Sequence, residues 1–387
     1  MRESNKERRK RNTSKSNPIT FTVPSTKSEK EASLIKINQN RIIDLSKEDL
    51  IKEAINFHLK GNLEEAIKYY KYFINIGYSD ERVYCNYGII LKELNKLNEA
   101  KFYITKAIEL APNFAQAHSN LGIILMENGQ LDEAEKCQRH AIKIMPNFAN
   151  AYYNLGIILK DRNKLEEAAI TIKRAIKIEP NFAPAYSNLA IILKELRKTE
   201  DAEIFARKAI KINPNLVEFY INLGIILKDN GKLEEAKLFI LKAIQICPSS
   251  PEAHTSLGNI FKDLGKLKQA EFYFRKAIDL QPDFAAGFSN LANLLRDIGQ
   301  YIEAISCYEK AIELNSNFSK AKAGLIGCRA LVCDWSHKHT ESIWLKKLGI
   351  KGKAVGLLDL LYSEDNPFNQ LQRSINFYKE NYQRKTK

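Results

Sequence analysis

The 387-residue chain is 44% hydrophobic, enough for a folded core, and no apolar run approaches the roughly 18 to 20 residues that span a bilayer, which excludes a helical membrane protein. Its net charge of +14 suggests a nucleic-acid footprint until it is mapped: residues 1–46 carry +6, residues 319–387 carry +7, and the 272 residues between them only +1. A groove that reads phosphates needs its bases in the body of the fold, so nucleic acid is not the expected partner.

The chain begins with a basic segment, residues 1–46. Its opening MRESNKERRKRNTSKSNP has no apolar stretch behind it and does not read as a secretory signal. Residues 1–33, polar and low in aromatics, are expected to be disordered. Six cysteines (Cys85, Cys137, Cys247, Cys307, Cys328 and Cys333) are scattered without a CxxC pair, which suits reduced thiols in the cytoplasm.

Residues 47–318 count in 34s. Blocks begin at Lys47, Glu81, Ala115, Ala149, Ala183, Val217, Pro251 and Ala285, with no insertion. Each block has two apolar-periodic segments of helical length. Position 20 is alanine in all eight, position 27 is alanine in seven, with Phe73 in the first, and position 8 is always Gly or Ala. Small residues there let two antiparallel helices approach closely. Position 15 divides the helices with Gly61, Asn95, Gly129, Asn163, Gly231, Gly265 or Gly299, residues that accept the left-handed conformation ending a helix. Arg197 is the exception. A proline at position 32, from Pro112 to Pro282, is a second stop, and Ser316 replaces it in the last block. No block buries its apolar face alone, so neighbours must stack into an all-α solenoid of antiparallel helix pairs.

The first helix of each block carries the candidate binding residues. At 100° per residue, positions 2, 6, 9 and 13 share a face. From the second block on, position 6 reads Asn86, Asn120, Asn154, Asn188, Asn222, Ser256 and Asn290. A carboxamide donates and accepts, so such a row suits the backbone of an extended peptide whatever its sequence. The same amides also suit a bridging role between adjacent repeats. Position 13 reads Glu93, Glu127, Asp161, Glu195, Asp229, Asp263 and Asp297, beside a basic residue at position 12 in all but Met126. That row is either a self-paired, solvated face or a preference for basic or neutral ligands.

After Ser319 the pattern continues for one helix, with Leu325 at position 7, and then breaks into CDWSHKHTESIWLKKLG. A catalytic Cys333–His337 pair has nothing local to activate it. His337 and His339 lack further ligands at metal spacing. Trp335 and Trp344 are expected to be packing anchors. No catalytic residue, metal or cofactor is expected.

The period and the small-large-small pattern over 47–318 resemble the tetratricopeptide repeat. A row of asparagines in such an array, followed by VCDW and by EDNPFNQLQRSINFYKENY, resembles the O-linked N-acetylglucosamine transferases and SPINDLY-type proteins over roughly Lys47 to Tyr382. In that family Cys-Asp-Trp sits where repeats give way to the glycosyltransferase region. The resemblance implies a right-handed superhelix whose concave groove holds a protein or an extended peptide, with 319–387 as capping helices and a linker. It implies a scaffold like the substrate-docking half of such an enzyme, or a truncated or split transferase acting with a separate catalytic chain. Some family members carry aspartates near position 2; here that position reads Arg82, Gln116, Asn150, Pro184, Glu218, Glu252 and Ala286.

Overall fold

The computed structural model describes residues 45–345, 347–350, 355, 360 and 366–381, so the basic N-terminal segment, except for its last two residues, lies outside the described residues. The described residues are helices and turns, divided into two compact units between Pro180 and Asn181. Among them no helix is long and apolar enough to cross a membrane.

The first unit contains α1 (Lys47–Leu59), α2 (Leu63–Asn75), α3 (Glu81–Glu93), α4 (Leu97–Leu110), α5 (Ala115–Glu127), α6 (Leu131–Ile144), α7 (Ala149–Asp161) and α8 (Leu165–Ile178). The second begins with α9 (Ala183–Glu195), α10 (Thr199–Ile212), α11 (Val217–Asp229), α12 (Leu233–Ile246), α13 (Pro251–Asp263) and α14 (Leu267–Leu280). It continues through α15 (Ala285–Asp297), α16 (Tyr301–Leu314), α17 (Ser319–Leu331), α18 (Lys338–Leu345) and α19 (Pro367–Asn381). Odd-numbered helices from α1 to α15 are the first helices of the eight repeats. Within each unit the pairs stack as a solenoid, and first helices of consecutive repeats touch, as α9 does α11 and α13 does α15.

The small residues sit where the helices meet. All eight position-20 alanines, from Ala66 to Ala304, are fully buried, as are the seven at position 27. Position 8 faces position 24 of the same repeat. At Gly258 a methyl group would fall 2.6 Å from the Phe274 ring.

The turn between the two helices is left-handed in every repeat. Gly61, Asn95, Gly129, Asn163, Gly231, Gly265 and Gly299 have φ between 61° and 82°, and Arg197, despite its side chain, has φ 62°. Cys333 adopts φ 57° at the same step beyond the eighth repeat. The ninth repeat is therefore longer than its sequence suggests. Its first helix is α17, its turn is Cys333, and α18 is a second helix of eight residues where the other repeats have 13 or 14. Trp344 packs partly buried against Ala323, Ile326, Leu345 and Leu348. Trp335 is 46% exposed, so only one of the two tryptophans is a packing anchor. Asn366 accepts from the Asn369 backbone N–H at the start of α19.

A second period is superposed on the first. Repeats three, five and seven carry a Glu–x–x–x–Arg pair on the second helix: Glu135 and Arg139, Glu203 and Arg207, Glu271 and Arg275. Each arginine holds its own glutamate at 2.8–2.9 Å and reaches a glutamate of the next repeat, Glu167, Glu235 or Glu303, at 2.5–2.7 Å. Glu135 also receives Arg162, and Glu203 receives Lys232 at 2.9 Å and Asn230 at 3.1 Å. Repeats are thus clamped in twos: three to four, five to six, seven to eight.

Candidate functional site

The position-6 asparagines separate into two groups. Asn86, Asn120, Asn154 and Asn188 are at most 5% exposed, whereas Asn222, Ser256 and Asn290 are half-buried. Three of the buried amides donate a hydrogen bond within the fold. Asn120 donates to Cys85 Sγ at 3.4 Å and Asn154 to Ser119 Oγ at 3.3 Å, in each case one repeat back, while Asn188 donates to the Pro184 carbonyl at 3.1 Å. Of the two roles expected for this row, ligand contact and bridging between repeats, burial of these side chains in repeats two to five accords with bridging. The partner in each bridge is a hydroxyl or thiol at position 5. Ser119, Ser187 and Cys85 were the signal for bridging in the sequence, and pattern reading along position 6 alone passes over them.

In repeats six and eight two amides keep hydrogen-bonding capacity. Asn222 donates to Ser187 Oγ at 3.0 Å through Nδ2, leaving its Oδ1 to accept. At position 9, Asn293 accepts from the Tyr308 hydroxyl at 2.6 Å through Oδ1, leaving Nδ2 to donate. Position 9 itself changes character along the chain. Ile89, Ile123 and Ile157 of the first unit are buried, while Ile191, Ile225, Asn259 and Asn293 of the second are half-buried.

Five of the seven acids in the position-13 row meet a lysine of the same face. Lys92 meets Glu127 at 3.1 Å, Lys194 meets Asp229 at 3.1 Å, Lys228 meets Asp263 at 3.3 Å and Lys262 meets Asp297 at 2.6 Å. Lys92, Lys194, Lys228 and Lys262 thus reach forward from position 12 to the acid of the next repeat. Asp161 has Lys160 of its own helix at 3.9 Å, and Glu195 is exposed. Burial pushes the Lys228 ammonium down, but Asp229 and Asp263 outweigh it and hold it above its ordinary value. Position 2 is likewise engaged at the first repeat joint, where Arg82 bonds Asp80 and reaches Glu48 at 3.0 Å.

The stretch after the eighth repeat holds a different feature. Arg329 is buried, with Glu341 at 2.8 Å and Glu309 at 2.5 Å, and all three line a cavity of about 260 Å³ with Leu325, His337 and Trp344. Among the described residues no group of three or more His, Cys, Asp or Glu is placed to hold a metal ion. Cys333 is exposed in its left-handed turn.

Sequence profiles of the tetratricopeptide repeat match residues 81–114, 113–181, 171–204, 205–237, 251–284 and 285–318, more than half of the chain. No curated protein matches the sequence. Among solved structures, PilF of Pseudomonas aeruginosa aligns at 23% identity over 53% of this chain and 93% of its own, with a TM-score of 0.44. YrrB, described as a TPR protein with an unusual peptide-binding site, aligns at 24% identity over 48% of this chain and 95% of its own, with a TM-score of 0.39. The period of 34, the paired helices and these profile matches make the chain a member of the tetratricopeptide repeat family.

Proposed function

We propose that the chain is a protein-binding scaffold, and that an extended segment of a partner lies along the first helices of repeats six to eight. The observation that supports this most is the pair of half-used amides. Asn222 retains an acceptor and Asn293 a donor, both partly open to solvent on α11 and α15. A peptide group supplies the complement of each. Asn290 and Ser256 extend the same face. The six free thiols accord with a reducing, cytoplasmic setting.

The test is a paired comparison. Replacing Asn222 and Asn290 together with alanine removes two net hydrogen bonds of about 0.5–1.5 kcal/mol each, so peptide affinity falls about 5- to 150-fold while helicity is kept. Replacing Asn154, which bridges repeats three and four, lowers the melting temperature and leaves affinity alone. An unchanged affinity in the double variant, measured by fluorescence anisotropy against an extended-peptide library, refutes the docking face.

A second reading has its own support. It rests on the sequence resemblance alone: VCDW at Val332–Trp335 and the EDNPFNQLQRSINFYKENY segment resemble the joint of a protein O-GlcNAc transferase. On this reading the chain is a docking subunit for a separate glycosyltransferase chain. Co-purification of such a chain, with transfer from a labelled nucleotide sugar only when both are present, distinguishes it from an independent scaffold.

A further inference from the structure

An amide row is blind to sequence, because it pairs with a backbone every peptide has. Position 9 is not blind. It is Ile191 and Ile225 in repeats five and six, and Asn259 and Asn293 in repeats seven and eight, all four half-buried on successive first helices. We infer that this face takes its partner segment in blocks: apolar side chains against repeats five and six, and polar side chains or bare backbone against repeats seven and eight. The inference rests on the docking reading above and adds to it the class of segment and its register.

Mismatch at either half carries a penalty. A polar group pressed on Ile191 or Ile225 loses water and gains no hydrogen bond. An apolar side chain over Asn259 or Asn293 strips water from an amide that then has no replacement partner. Asn293 cannot turn its carbonyl outward at no cost, since the Tyr308 hydroxyl occupies it at 2.6 Å. The charged rail beside the face does not override this ordering, because Lys228–Asp263 and Lys262–Asp297 are already paired to each other. Touching first helices lie about 8–10 Å apart, and an extended chain advances about 3.3 Å per residue. About three residues therefore meet each repeat, and a segment of about a dozen spans the four.

Three labelled peptides of about that length and one composition test this with the full chain: apolar block first, apolar block last, and a scramble in which neither half is enriched. One block order is expected to bind about tenfold tighter than the scramble, a difference of about 1.4 kcal/mol. In the variant Ile191→Asn/Ile225→Asn that advantage disappears: the ratio of the favoured block order's affinity to the scramble's falls to about one. In Asn259→Ile the preference shifts toward a longer apolar block. Equal binding of all three peptides to the wild type overturns the block inference and leaves the docking face standing. Failure of every peptide to bind overturns both.

Discussion

Arg329 and Glu341 meet at 2.8 Å, both buried, at the two positions where all eight earlier repeats carry uncharged side chains. In the first repeat the corresponding pair is Phe57 and Tyr69, with ring centroids 5.4 Å apart, and in the seventh it is Phe261 and Tyr273 at 5.3 Å. An aromatic contact has become an ion pair, and a ninth repeat that would otherwise continue the array closes on charge instead. Burial makes the pair asymmetric in its response to mutation. Arg329→Ala leaves two carboxylates behind and should cost about 3–5 kcal/mol, whereas Arg329→Leu with Glu341→Phe restores the regular contact and should be neutral or stabilising. Urea unfolding of the two variants decides it; a double variant as damaged as the single one refutes this account.

Arg197 and Gly231 make a reciprocal pair for backbone strain. A methyl on Gly231 meets nothing within 4 Å, so Gly231→Ala isolates the conformational cost of φ 77°. That cost is about 1–2 kcal/mol for a residue with a Cβ. Arg197→Gly, at φ 62°, should recover part of a similar sum. Thermal melts shifting in opposite directions are the expected result.

The clamps predict a pH dependence. Burial pushes the Glu203 carboxyl up, but the hydrogen bonds from Lys232, Arg207 and Asn230 outweigh it and hold it below the usual range. Glu135 behaves alike, with Arg139, Lys164 and Arg162 overcoming its burial. A folded-state pKa below the unfolded value means stability that is present above about pH 4.3 and lost as the pH falls further. The melting temperature of Glu203→Gln should therefore lie below wild type at pH 7, and the gap should narrow as the pH falls below about 4.3. A gap that persists in acid would show that the carboxylate charge is not what holds the repeats together.

Packing at the helix crossings gives the fourth prediction. Ala202 is fully buried, and Ala202→Leu should cost about 1–3 kcal/mol by overpacking. Gly258→Ala should also destabilise, although alanine favours helix, because its methyl meets the Phe274 ring at 2.6 Å. Coincident unfolding curves for wild type and Ala202→Leu would refute the register of the repeats.

The fold was legible because its constraints repeat. Alanine at positions 20 and 27 and a turn residue at position 15 recur often enough to set the helix pairs of the eight repeats, and even Arg197 was placed by its neighbours in register. The site was legible only in part. A sequence puts Asn154 and Asn222 at equivalent positions, yet one is buried and the other half-exposed, since accessibility depends on how successive first helices pack. The clamps were missed for a different reason: they recur every second repeat, and a search at a single period averages Glu135 and Arg139 with Ala169 and Lys173. The Arg329–Glu341 pair occurs once, so no periodicity could report it.

The clamping of repeats in twos bears on how such a chain can be shortened or lengthened. Excising repeats five and six together leaves Arg139 with Glu167 and Arg275 with Glu303, every arginine still facing the glutamate it holds now. Excising repeat six alone brings the start of repeat seven up to Arg207, and the residue then presented in place of Glu235 is Gln269. An array with this grammar tolerates change by pairs and resists change by single units, so its natural unit of duplication is two repeats long.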